Sequence, residues 1–140
     1  MDVLKYHKTY LKLATEISKL SYCKRKKVGA LIVKNNMIIS DGFNGTPTGF
    51  DNTCEIDNVT KWYVLHAEAN AILKCAKHGR SCLGATMYLT LSPCKDCAKL
   101  IYQAGIVKIY FSDYHYNTEG LDFLDQAKVQ YEHLNVNNTK

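Results

Sequence analysis

From residue 66 onward the sequence alternates helix-forming and strand-forming stretches, and this alternation restricts the chain more than any other feature. HAEANAILKCAKHG (66–79) is built from good helix formers and stops at Gly79, a residue suited to the position just past a helix end. ATMYLTL (85–91) and IVKIYF (106–111) are β-rich. Between them CKDCAKLIYQAG (94–105) has Pro93 before its first turn and Gly105 at its close, which predicts a second short helix. A further helical stretch covers about 117–127, and VQYEHL (129–134) reads as a last strand before the polar tail NVNNTK. Strands separated by helical crossovers run parallel, and their helices must cover the sheet.

The first part of the chain makes a different connection. Residues 2–21 carry Leu4, Leu11, Ala14, Ile17 and Leu20 at mostly helical spacings, uninterrupted by proline or glycine, which predicts an amphipathic helix. VGALIVK (28–34) and MIISDGF (37–43) are joined by Asn35 and Asn36, residues that tolerate the left-handed backbone of a tight hairpin. The sheet therefore starts as an antiparallel pair. NGTPTGFDNTCEIDNVTK (44–61) is rich in turn formers and reads as a long loop, of the kind that carries function in small domains. The order α-β-β-α-β-α-β-α-β predicts an α/β fold, a five-stranded mixed sheet flanked by helices in three α/β/α layers. A length of 140 residues, 46% of them hydrophobic, fits one domain spanning 1–140.

Composition excludes several classes of function. No apolar run approaches the roughly 20 residues of a membrane helix, and the opening MDVLKYHKTYLKLATEISKL mixes charges into what a signal peptide would keep apolar. A cytoplasmic protein with no membrane partner is the expectation. Eighteen Lys+Arg against thirteen Asp+Glu leave a formal charge of +5, which suits phosphorylated ligands and nucleic acid equally. In a reducing compartment the six cysteines, at 23, 54, 75, 82, 94 and 97, are expected as metal ligands or buried thiols, with no structural disulfide.

The chemistry is concentrated where two predicted helices begin. His66-Ala67-Glu68 opens one, and Pro93-Cys94-Lys95-Asp96-Cys97 opens the next. Two cysteines separated by two residues can place both sulfurs on one cation, and an imidazole from a neighbouring helix supplies a third ligand to tetrahedral Zn2+. A fourth position left open separates a catalytic zinc from a structural one, because it admits a water whose pKa the cation lowers toward roughly 7. The positive ends of the helix dipoles favour the thiolate form of Cys94 and Cys97. Glu68, two residues beyond His66, points to another side of its helix and is free to carry protons as a general acid and base. Cys75 and Cys82 lie on or just after an amphipathic helix and read as small buried apolar groups.

H-x-E combined with P-C-x-x-C marks zinc-dependent nucleobase deaminases. The blocks CKRKKVGALIVK, DGFNGTPTGF, HAEANAIL and ATMYLTLSPCKDCAKLIYQAGIVKIYF follow one another over roughly 23–111, and with them the chain resembles the deoxycytidylate (dCMP) deaminase branch of the zinc-dependent cytidine/deoxycytidylate deaminase family. The tRNA adenosine deaminases share the zinc motifs without, typically, the GxNGxP loop, and short free-cytidine deaminases usually carry Cys in place of the metal His. The resemblance implies a cytidine deaminase-like fold and hydrolysis of dCMP to dUMP and ammonia, feeding thymidylate synthesis. Zinc would sit on His66, Cys94 and Cys97, and Glu68 would protonate N3 and serve the leaving amine. Ala67 N–H would hold the base carbonyl, Asn44 the sugar, and Ser92 would join the substrate contacts.

A ring from Tyr114, His115 or Tyr116 would cover the base; counted without gaps the family tyrosine falls on His115, a departure that leaves all three open. The resemblance implies that the basic run Lys24, Arg25, Lys26 and Lys27 lies near nucleotide phosphates, and within it Arg25 is the best single candidate because its planar fork suits two-point recognition. Relatives are often activated by dCTP and inhibited by dTTP, which implies a second nucleotide site from Lys24, Lys26, Gly45, Thr46 and Asn70 in a homo-oligomer, commonly a hexamer, with Mg2+ accompanying triphosphates. Deamination of both dCMP and dCTP is the first alternative, and base editing in tRNA or other nucleic acid is the second and less favoured one. Some relatives hold a second, structural zinc through N-terminal cysteines; the segment 52–65 has no histidine to complete such a site, so one zinc per chain is expected.

Overall fold

The computed structural model describes residues 3–136; residues 1–2 and 137–140, the first residues of the predicted N-terminal helix and most of the polar tail, lie outside the described residues. The elements are α1 (Val3–Ser18), β1 (Gly29–Lys34), β2 (Met37–Phe43), β3 (Glu55–Ile56), β4 (Val59–Thr60), α2 (Ala67–Lys77), β5 (Thr86–Leu91), α3 (Lys95–Gln103), β6 (Lys108–Asp113), α4 (Glu119–Ala127) and β7 (Gln130–His133). Five strands form one mixed sheet in the order β2-β1-β5-β6-β7. β1 is antiparallel to both neighbours, whereas β5, β6 and β7 are mutually parallel, as the helical crossovers require.

Alternation along the strands divides the side chains between two cores. Ala30 and Ile32 of β1, Met87 and Leu89 of β5 and Ile109 and Phe111 of β6 face α2, α3 and α4. Leu31, Val33, Tyr88 and Tyr110 point the other way and meet Leu11 and Ala14 of α1. A period of two residues thus yields three layers, one helix on one face and three on the other. Among the described residues no helix is long and apolar enough to cross a membrane.

Two expectations need correction. The loop 44–61 contains a small hairpin, β3 paired with β4, whose turn residues Asp57 and Asn58 adopt φ of 52° and 65°. Asp-Asn between the β-branched Ile56 and Val59 is a two-residue turn of the same type as Asn35-Asn36, and it escapes notice because each strand has only two residues. The second correction is a disulfide between Cys23 and Cys54, where the sequence suggests none. Compartment and motif spacing carry no information on proximity; the fold closes a separation of 31 residues and sets the two Cα atoms 5.1 Å apart, within disulfide range. Cys75 and Cys82 are buried thiols, as expected.

Candidate active site

His66 and Cys94 occupy equivalent positions. Each is the N-cap of its helix, with extended backbone at φ −73°, ψ 157° and φ −71°, ψ 169° respectively. Close packing holds both helix starts. A Cβ on Gly42 of β2 would come within 2.5 Å of the Ala67 carbonyl oxygen and 2.6 Å of the Ala71 nitrogen, so α2 lies directly on the strand. A Cβ on Gly120 of α4 would overlap the Pro93 carbonyl, which fixes the entry to α3. Glycine is needed at both places for close approach.

This framework brings the three predicted ligands together. His66 Nδ1 lies 3.5 Å from Cys94 Sγ and 3.3 Å from Cys97 Sγ. Ordinary Zn–S and Zn–N lengths at tetrahedral angles place nitrogen and sulfur about 3.5 Å apart, so the observed spacing fits zinc. No fourth His, Cys, Asp or Glu among the described residues joins them within 4.8 Å. Cys94 is held down to about 4, first by a hydrogen bond with Cys97 and then by His66. The same Cys94–Cys97 bond pushes Cys97 up, and the bond to Cys94 raises His66 despite desolvation. One thiolate is thus already favoured.

Glu68 is 4% exposed, and burial pushes its carboxyl up to about 7, against the opposing pull of a hydrogen bond from its own backbone N–H and of the nearby His66. A carboxyl poised there can accept a proton and return it near neutral pH.

A cavity of about 520 Å³ opens above this cluster. It is lined by His66, Ala67, Glu68, Ser92 and Cys94, together with Arg25, Lys26, Asn44, Tyr114, His115 and Tyr116. The Asn44 carboxamide is already engaged: its Oδ1 accepts from Val28 N–H at 2.8 Å and its Nδ2 donates to the Lys26 carbonyl at 2.7 Å, which shapes the segment beneath Arg25. Ser92 Oγ accepts from His115 N–H at 2.8 Å and so anchors the aromatic loop. Tyr114 is braced against Phe111 and His133, His115 stacks on Tyr116, and Tyr116 is almost fully exposed.

Lys24, Gly45, Thr46 and Asn70 are not among the lining residues. Gly45 pairs with Leu65, Thr46 Oγ1 donates to the Asp51 carbonyl, and Asn70 Nδ2 donates to the Phe43 carbonyl. Cys23, Val28, Glu55, Thr60, Val64 and Leu91 also line the cavity and are missed by the sequence reading. The Asp57-Asn58 turn signal was the available clue to Glu55 and Thr60, since it pairs the two residues across a hairpin.

A family profile described as "Cytidine and deoxycytidylate deaminase zinc-binding region" matches residues 4–113. The deoxycytidylate deaminase of Enterobacteria phage T4 is 37% identical over a 157-residue alignment that covers 81% of this chain and 81% of the phage protein. The deoxycytidylate deaminase of Homo sapiens is 37% identical over 128 residues, covering 84% of this chain and 71% of the human one. Among solved structures, the dCMP deaminase from cyanophage S-TIM5 in complex with dCMP and dUMP superposes with a TM-score of 0.92 at 44% identity, over 96% of this chain and 99% of that chain. The cyanophage protein has the architecture described above over that share of its length.

Proposed function

Since the chain belongs to the cytidine and deoxycytidylate deaminase zinc-binding family, we propose that it hydrolyses dCMP to dUMP and ammonia. One observation carries the reading: His66, Cys94 and Cys97 meet at zinc-ligand spacing beside a buried Glu68, at a cavity in a fold similar to that of a protein solved with dCMP and dUMP. Zinc bound there supplies the Lewis acidity that makes water nucleophilic near neutral pH. Glu68 takes a proton from the attacking water and passes it to N3 as the C4–O bond forms, then carries the second proton, from the added hydroxyl, to the amine as the C4–N bond breaks and ammonia leaves. Ala67 N–H holds the base carbonyl, and a ring of the 114–116 cluster covers the base. Asn44 and Ser92 act on the sugar end and the aromatic loop, and Arg25 on the phosphate.

The proposal extends to a single deaminase domain of residues 1–140 acting in the cytoplasm as a hexamer. It also places dCTP as activator and dTTP as inhibitor, with Mg2+ on the triphosphates, at a second site that includes Lys24, Lys26, Gly45, Thr46 and Asn70. The GFNGTPTG loop and its family resemblance support this part. The test is ammonia release from dCMP, CMP, dCTP and deoxycytidine, each with and without dTTP and dCTP as effectors, beside oligonucleotides bearing cytosine or adenine. The highest kcat/KM is expected for dCMP, with none on oligonucleotides. Failure with every free nucleotide refutes the reading.

A further inference from the structure

The small hairpin grips the basic segment that borders the cavity. A single Glu55 oxygen, Oε2, accepts from the backbone N–H of Lys24 at 2.9 Å and of Arg25 at 3.2 Å. Arg25 Nη1 donates to Thr60 Oγ1 at 3.2 Å. Glu55 and Thr60 are cross-strand partners, so one step of the β3–β4 register presents a backbone acceptor and a guanidinium acceptor to the same residue. The disulfide ties Cys54, the neighbour of Glu55, to Cys23, two residues before Arg25.

Glu55 uses its charge on amides and leaves the basic side chains free. Among the described residues, Lys24, Arg25, Lys26 and Lys27 enter no ion pair. Of the roughly five N–H donors of a guanidinium, Arg25 has committed only the one on Thr60. Its charge and most of its fork therefore remain available at the edge of a cavity that also holds His66 and Glu68. A guanidinium held in one orientation by an uncharged acceptor is preorganised for a phosphate monoester, which it can meet through two parallel hydrogen bonds.

We propose that Glu55 and Thr60 are positioning residues that hold Arg25 for the substrate's phosphate, so that the β3–β4 hairpin sets discrimination between nucleotide and nucleoside. This rests on the dCMP reading above. It is tested by calorimetric binding of dUMP and deoxyuridine to the zinc-loaded protein and to Thr60→Val, Thr60→Ser and Glu55→Ala, with dCMP and deoxycytidine turnover measured in parallel.

Thr60→Val removes the acceptor and should weaken dUMP binding about 5- to 10-fold, the scale of one ordinary hydrogen bond, with deoxyuridine binding unchanged. In turnover KM for dCMP rises by a similar factor at constant kcat, and Thr60→Ser restores both. Glu55→Ala, which frees two backbone N–H groups, should show the same selectivity with a larger loss. Thr60 is exposed, so Thr60→Val keeps the test decisive if Glu55→Ala does not fold. Equal losses for dUMP and deoxyuridine, unchanged dUMP affinity in Thr60→Val, or no dUMP binding by the unsubstituted protein overturns the inference. Selective dUMP binding without turnover of dCMP overturns the functional reading alone.

Discussion

The metal-ligand cluster and the hairpin rim border one cavity and are built by opposite means. His66, Cys94 and Cys97 ride on helices pressed into the sheet, with glycine at the points of closest approach. Arg25 lies on irregular backbone held by side-chain acceptors and a disulfide. Packing supports the reacting groups, because positional errors of an ångström are costly in rate. Discrete polar bonds support recognition, because they can be exchanged one at a time. The cluster should therefore respond to change nearly all-or-none, and the rim in graded steps.

The largest effect expected of a substitution is at Glu68. Glu68→Gln should lower kcat by about 10²- to 10⁴-fold while elemental analysis shows zinc retained, since the proton carrier is lost and the ligands remain. Loss of zinc from this variant would place Glu68 in the structural frame instead.

Removal of the metal should act at least as strongly. Chelation should abolish turnover, and added Zn2+ should restore it. In the metal-free protein Glu68 titrates near 7 when folded and at its ordinary value, 4.5, when unfolded. The folded state therefore binds this proton more tightly, and stability from Glu68 is complete below about 4.5 and is lost as pH rises through about 7. The cost at neutral pH is roughly 3 kcal/mol, and because Cys94, held down to about 4, titrates in the opposite sense over this window, it is read as the difference in Tm between the metal-free protein and metal-free Glu68→Gln. The same pH dependence of Tm in the metal-free unsubstituted protein and in metal-free Glu68→Gln would contradict the burial of that carboxyl.

On the rim, reduction of Cys23–Cys54 should expose two further alkylatable thiols and lower stability by about 2–4 kcal/mol, with deoxycytidine turnover little changed. A collapse of turnover comparable to that of Glu68→Gln would erase the distinction between the two regions. Glycine substitutions sharpen it further. Gly120→Ala forces a methyl onto the Pro93 carbonyl and should cost about 1–3 kcal/mol and weaken zinc retention. Gly45, whose Cβ position is open, should accept Ala within about 0.5 kcal/mol, as judged by denaturant midpoint.

Much of this was legible beforehand, for local reasons. Helix ends are written in Gly79, Pro93 and Gly105, and the β1–β2 turn in Asn35 and Asn36, whose φ values of 52° and 61° match the turn they predict. The ligands announced themselves because a cation imposes spacing on its donors. Glu55 did not, since an acceptor for two backbone amides needs no motif. Asn44 shows the intermediate case: its type suits either a turn or a ligand, and its two backbone hydrogen bonds were visible only once Lys26 and Val28 were placed beside it.

The amino-acid order by itself determined the alternating elements, the faces they bury and the donor set for one metal, because each follows from periodicity or from chemistry within a few residues. Tertiary structure alone decided that Cys23 reaches Cys54, that Glu55 and Thr60 hold Arg25, and that Gly42 and Gly120 admit the helices bearing the ligands. Those contacts join residues distant in the chain, and their existence depends on where the whole backbone lies in space.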